Sequence, residues 1–217
     1  FTYRDRLTMP KLIVNSTGDQ FFLPDGIKFY FNQLLGDNHI LYVPNTDHTL
    51  GLSEGNPDLL VNIVKFISAF VPGSGTTLPK FDWTFQPDGS IRVVMDEQPE
   101  AVNVWQAHVE THRDFRLENV GAIWSSSTLT DPDGDGVYVA SVPAPSTGWT
   151  GFYVSVKSHG IETCSGLRVL PDTYPNGQAA PDYTAPAFAQ FAATPAVVRA
   201  GSTVTLSFAA SEPLAAN

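Results

Sequence analysis

The chain has 217 residues, 42% of them hydrophobic and only 16% charged, with a formal net charge of −10. This composition supplies globular cores rather than wholesale disorder, and its acidic balance excludes a phosphate-backbone binder, which needs clustered lysine and arginine. Cys164 is the only cysteine, which excludes an intrachain disulfide or a cysteine metal cluster, and no run approaches the roughly 20 apolar residues of a membrane helix.

From Pro10 to Asn15 the run Leu12-Ile13-Val14 is short, continuous and apolar, as in a strand buried on both faces of a parallel sheet. Asp25 to Leu35 carries Ile27, Phe31, Leu34 and Leu35 at helical spacing, with Gly36 as a stop. His39 to Val43 gives a second apolar strand. Pro57 to Phe70 reads as a helix capped by Asn56, with Leu59, Leu60, Ile63, Val64, Ile67 and Phe70 along one stripe. Strand, helix, strand, helix is the grammar of a parallel α/β sheet.

Asp19 and His48 each fall just past one of these strands, where open α/β sheets place their chemistry. A carboxylate that holds one imidazole nitrogen leaves the other to take a proton from a nucleophile. Taken singly, Asp19 also reads as an Asx turn and His48 as a loop histidine bonded to backbone. Together, in the order acid then histidine, they favour two members of a hydrolytic triad. The serine of such a triad would precede them, before Phe1, so an upstream half is required and residues 1–217 alone are expected to be catalytically silent. Among their neighbours, Asp25 reads as a helix cap, Asp37 and Asp47 as turn residues, and His39 as structural.

Beyond Val71 the text turns to Pro-Gly-Ser-Gly-Thr-Thr-Leu-Pro, which punctuates domains. The period then becomes two, in runs such as Phe81–Phe85, Val102–Ala107, Val137–Val142 and Trp149–Val156, an antiparallel sandwich ending near Leu170. Ala196 to Phe208 suggests two more strands about a Gly-Ser turn. The expected architecture is therefore multidomain, α/β plus all-β. Residues 1–72 form the C-terminal part of an α/β-hydrolase sheet and 73–79 a linker. Residues 80–170 form an immunoglobulin-like or fibronectin-III-like sandwich, 171–186 a second linker, and 187–217 the start of a further β module.

Asp131-Pro132-Asp133-Gly134-Asp135-Gly136 opens like a calcium loop, with Asp131, Asp133 and Asp135 as alternate carboxylate ligands. Its twelfth position is Val142 rather than a glutamate and its flanks are strand-like, so a solvated hairpin turn stands beside the calcium reading. No other cofactor is expected. Trp83, Trp105, Trp124 and Trp149 fit core packing better than sugar stacking.

The stretch Met9-Pro10-Lys11-Leu12-Ile13-Val14-Asn15-Ser16-Thr17-Gly18-Asp19-Gln20-Phe21-Phe22-Leu23-Pro24, followed by Gly36 to His48, resembles the PhoPQ-activated pathogenicity-related protein family, a group with an α/β-hydrolase fold. Arg113-Asp114-Phe115-Arg116 and Gly148-Trp149-Thr150-Gly151-Phe152 are similar to that family's C-terminal part, and the tail from Thr184 to Leu214 resembles a bacterial immunoglobulin-like repeat. The resemblance implies an exported bacterial protein, secreted, periplasmic or at the cell surface. It also implies links to virulence and antimicrobial-peptide resistance. The family's acid and histidine fall on Asp19 and His48, and its nucleophile has no counterpart. Two functions follow as expectations. One is a serine hydrolase acting on an ester or amide of an unidentified small molecule or peptide. The other is a non-catalytic surface or adhesion protein with a vestigial hydrolase fold.

Overall fold

The computed structural model describes residues 3–53, 55–174, 178–179, 188–194, 203 and 205–210. The chain divides into two compact units, 1–180 and 181–217.

In the first unit, β1 (Lys11–Ser16) and β2 (Asn38–Val43) pair in parallel, with Lys11 opposite Asn38 and Ser16 opposite Val43. Between them the expected helix is absent. Residues Pro24–Phe29 and Phe31–Gln33 form two separate 3-10 turns, broken at Tyr30, whose φ is −136°. Gly26 inside the first turn weakens any α-helix, and side-chain fixation overrides the periodicity. The Tyr42 hydroxyl donates to the Pro24 carbonyl at 2.8 Å, and Asp25 is drawn into a buried ion pair with Arg113. Asp25 is thus a packing residue and not a helix cap.

Helix α1 (Pro57–Ser68) forms as its signals require, with the Asn56 side chain accepting from Leu59 N–H at 3.1 Å and Pro57 at the first position. It buries Leu59, Asn62 and Phe66, whereas Leu60, Val64 and Ile67 of the expected stripe stay exposed. Asn62 docks the helix on the sheet: its amide donates to the Glu162 carbonyl at 2.9 Å and accepts from Glu162 N–H at 2.7 Å.

The remaining strands of this unit are β3 (Phe81–Phe85), β4 (Ile91–Met95), β5 (Ala101–Val109), β6 (Ser125–Thr128), β7 (Val137–Ala140), β8 (Trp149–Ser158), β9 (Ile161–Cys164) and β10 (Arg168–Leu170). A helical turn, α2 (Leu117–Val120), lies between β5 and β6, and a short hairpin of β11 (Thr173–Tyr174) and β12 (Gln178–Ala179) follows β10.

The expectation of an α/β-hydrolase sheet followed by a sandwich is overturned by the pairing. β1 and β2 are the first two strands of one seven-stranded mixed sheet, in the order β1-β2-β9-β8-β5-β6, with β10 also on β8. The open edge of β2 is taken by β9 running antiparallel, Ile40 opposite Cys164, so the parallel pair is absorbed into a mostly β architecture. No α/β-hydrolase arrangement is present among the described residues, and the all-β part remains compatible with a sandwich. β9 and β10 occupy successive stretches of the same edge of β8. Ser165 bridges them: its N–H donates to the Val154 carbonyl at 2.8 Å and its hydroxyl accepts from Val154 N–H at 3.0 Å, which keeps the ladder satisfied through the break.

Strand β8 is buried along nearly its whole length because both faces are covered. On one face Phe152, Val154 and Val156 pack with Val102 and Val104 against Ile91, Val93, Met95, Tyr138 and Ala140 of the three-stranded sheet β3-β4-β7. On the other, Tyr153 packs with Tyr42, Phe115, Trp124 and Leu167.

In the second unit, β13 (Phe188–Thr194) pairs antiparallel with β14 (Thr205–Ala210), with a register shift between Ala189 and Ala192. The first of the two strands expected between Ala196 and Phe208, its Gly-Ser turn, and residues 175–177 and 180–186 of the expected second linker lie outside the described residues.

Candidate acid–histidine site

Because β1 and β2 are adjacent and parallel, the loops that leave their C-terminal ends emerge side by side. Their backbones interlock: Thr17 N–H donates to the Val43 carbonyl at 3.1 Å, Gly18 N–H to the Thr46 carbonyl at 3.0 Å, and Asn45 N–H to the Thr17 hydroxyl at 2.9 Å. The Ser16 hydroxyl donates to the Asp47 carbonyl, and Thr46 Oγ1 donates to Ser16 Oγ at 2.9 Å. Ser16 and Thr17 are fully buried, so these hydroxyls form a fixed base.

Asp19 sits on that base, 3% exposed, with both carboxylate oxygens occupied. Oδ1 accepts from Phe21 N–H at 2.7 Å and Phe22 N–H at 2.9 Å, and Oδ2 lies 2.9 Å from His48 Nδ1. Burial alone would raise the Asp19 pKa. The Phe22 N–H, the His48 side chain and the Phe21 N–H outweigh it and hold the carboxyl below its ordinary value. An ionised carboxylate only accepts, so Nδ1 carries the shared proton and Nε2 of a neutral ring is the basic nitrogen. Nε2 makes no hydrogen bond to a described residue, and the His48 side chain is 46% exposed. The backbone N–H of His48 donates to Gln20 Oε1 at 3.2 Å.

Two aromatic rings flank the imidazole: Phe21 edge-on at 5.0 Å and Phe22 tilted at 5.6 Å between centroids. Both phenylalanines are themselves largely exposed. The hydrogen bonds that orient the acid therefore also place an apolar wall beside the base.

The β-rich part of the chain braces both loops. Leu117 N–H donates to the Gly18 carbonyl at 3.0 Å, while Asn45 exchanges two 2.9 Å hydrogen bonds with the backbone of Trp124. Asn45 has a φ of 57°, a left-handed conformation that asparagine tolerates better than most residues. Asp114 accepts a forked pair from Arg116, Nε at 2.9 Å and Nη2 at 2.7 Å, plus Asn119 at 2.6 Å. The paired Arg116 is the main reason that the Asp114 carboxyl is lowered to about 2. Phe115 packs on Trp124 at 5.7 Å. The segment Arg113-Asp114-Phe115-Arg116 is thus a brace for the acid loop.

Of the neighbours, Asp47 accepts from Thr49 N–H at 2.9 Å and Thr49 Oγ1 at 2.6 Å, a turn closed on itself, and Asp37 pairs with His39 at 3.0 Å. Gln20 and Asn45 escape the sequence reading. The run Phe21-Phe22-Leu23-Pro24 directly after the acid reads as a cover that keeps water from Asp19; Asp19 is indeed buried, and the Phe21 and Phe22 rings stand beside His48. In the acidic loop, Asp131 accepts from Gly134 N–H at 2.8 Å, Gly136 N–H at 2.8 Å and Asp135 N–H at 3.3 Å, and Asp135 accepts from Val137 N–H at 3.0 Å. Among the described residues no group of three or more histidine, cysteine or acidic side chains is placed to hold a metal ion. No described helix is long and apolar enough to cross a membrane.

Fold and site together define a β-rich protein that carries a carboxylate–imidazole pair at the end of a parallel strand pair. The profile of the PhoPQ-activated pathogenicity-related proteins matches residues 1–116, and the chain belongs to that family. A curated relative, Autocrine proliferation repressor protein A of Dictyostelium discoideum, is 31% identical over 207 residues, which covers 82% of this chain. The chain spans about two-fifths of that relative's length, 41%. No solved structure matches significantly.

Proposed function

We propose that Asp19 and His48 are the acid and base of a nucleophilic hydrolase site completed by a part of the protein outside residues 1–217. In this reading a hydroxyl nucleophile gives its proton to His48 Nε2 and attacks an ester or amide carbonyl. Asp19 keeps the proton on Nδ1 and stabilises the imidazolium that forms, and His48 returns the proton to the leaving group; a water deprotonated by His48 then cleaves the acyl–oxygen bond, releasing the acid and restoring the hydroxyl. The observation that carries the reading is the 2.9 Å contact between a buried, doubly N–H-bonded carboxylate and a half-exposed imidazole whose other nitrogen makes no hydrogen bond to a described residue. Family membership and the name of an autocrine relative support a protein that works outside the cell.

The test is turnover of acyl and aminoacyl esters by the full-length protein. His48→Ala is expected to remove nearly all turnover. Asp19→Asn is expected to lower kcat by roughly 10³–10⁴-fold through loss of the correct tautomer. Unchanged rates in both variants overturn the proposal.

A second reading takes its support from the relative's name, an autocrine repressor of proliferation. Here the protein is a non-enzymatic extracellular signal, and the full-length His48→Ala variant keeps its effect on cells while no substrate is turned over.

A further inference from the structure

At the opposite end of β2 from His48 lies a groove of about 1000 Å³. One wall is formed by the 3-10 turns and the start of β2, including Lys28, Phe31, Asn32 and His39, and the other by β3. The floor contains Thr163, Cys164 and Gly166. All five residues of β3 line it: Phe81 and Trp83 from the face packed on the sandwich core, and Asp82 and Thr84 between them from the opposite face. A cavity reached from both faces of a strand runs along that strand's edge.

That edge is open. β3 ends the three-stranded sheet, pairing only with β4, and its backbone makes no other hydrogen bond among the described residues. An unpaired strand edge inside a groove is a template for an added strand, with backbone hydrogen bonds for affinity and alternate side chains for selectivity. Thr163 supplies a second, independent signal. Its side chain is 1% exposed, it lines the groove, and its hydroxyl has no hydrogen-bond partner. A buried hydroxyl left unpaired carries a desolvation cost that a hydrogen bond to a ligand carbonyl would recover.

The charge at the groove sets the sequence it accepts. Asp82 and Asp96 line it with no ion pair or hydrogen bond among the described residues. Of the two lysines there, Lys28 is held by Asp25 at 3.7 Å and Asp172 at 3.2 Å, which leaves Lys80 as the opposing charge. We propose that this groove binds an extended peptide as an added strand on the open edge of β3. The peptide's apolar side chains lie toward Phe31 and Trp83, and a basic side chain faces Asp82 and Asp96.

The probe is a blocked eight-residue peptide alternating valine and lysine, titrated into the 217-residue chain by calorimetry with amide hydrogen exchange in parallel. Binding should slow exchange at residues 81–85. It should weaken at least tenfold in Asp82→Asn/Asp96→Asn, several-fold in the near-isosteric Thr163→Val, and vanish when alternate peptide amides are N-methylated. His48→Ala should leave it unchanged, which separates this site from the acid–histidine pair. Absence of binding, binding that survives N-methylation, or binding without protection of 81–85 overturns the proposal. Binding of a neutral oligosaccharide in place of the peptide overturns it as well.

Discussion

The backbone N–H of Leu117 donates to the carbonyl of Gly18 at 3.0 Å, so the residue immediately before the acid is anchored by a segment almost a hundred positions away. The approach leaves no room for a side chain. A Cβ on Gly18 would lie 2.8 Å from Leu117 Cβ, 2.8 Å from Leu117 N and 2.8 Å from the Thr46 carbonyl oxygen.

Two of those three contacts are backbone atoms and cannot swing aside. Gly18→Ala is therefore expected to destabilise the first unit by about 1–3 kcal/mol, the usual cost of overpacking a close contact. It should also pull Asp19 away from His48. Denaturant melts give the first effect, and the imidazole NMR signals of His48 give the second. A wild-type melt with unshifted imidazole signals would sink the role assigned to this approach.

The Arg113–Asp25 pair is buried, with side chains 5% and 8% exposed. Removing Arg113 leaves the buried Asp25 carboxylate with the looser 3.7 Å contact to Lys28, so Arg113→Met should cost roughly 3 kcal/mol. Arg113→Met combined with Asp25→Leu should recover a substantial part of that loss, because no under-paired buried carboxylate remains. A double-mutant cycle by urea unfolding measures both, and a double variant no better than the single one argues against the pair as the cause.

Acid sensitivity follows from two carboxylates. Asp114, paired with Arg116, is lowered to about 2, and Asp19 is lowered by hydrogen bonds that outweigh its burial. A folded-state pKa below the unfolded one means that the unfolded chain takes up protons first. The stabilisation is then complete above the ordinary carboxyl pKa near 4 and is lost as pH falls toward 2. Solvent screening of the exposed Arg116 reduces the share of Asp114 in this to about 1 kcal/mol. Melting temperature followed from pH 5 to pH 2 should fall more steeply for the wild type than for Asp114→Asn, and parallel curves would refute the assignment.

The acidic loop separates by residue. Asp131 satisfies three backbone N–H groups, so Asp131→Ala should destabilise by about 1 kcal/mol, while Asp133→Ala should fall within about 0.5 kcal/mol of wild type. A calcium titration followed by melting distinguishes the two uses of the loop. A calcium-induced rise in melting temperature that Asp133→Ala abolishes would reverse the turn assignment.

The local features were legible in the sequence because each is decided within a few residues. The Leu12-Ile13-Val14 run makes β1, Asn56 and Pro57 start α1, and Asp19 and His48 stand past successive apolar strands. Parallel neighbours then bring those two loops together, and the 2.9 Å contact between Asp19 and His48 follows from that adjacency. Tertiary structure alone decided the rest. Periodicity between Asp25 and Leu35 spoke for a helix, and a distant arginine and a tyrosine hydroxyl fixed two 3-10 turns instead. Likewise, nothing near Ile40 reveals that Cys164 will pair with it and carry one sheet through what reads as a domain boundary. Strand edges recognise any backbone with free N–H and carbonyl groups. Which edge meets which is settled by the burial of whole faces and not by the residues at the contact.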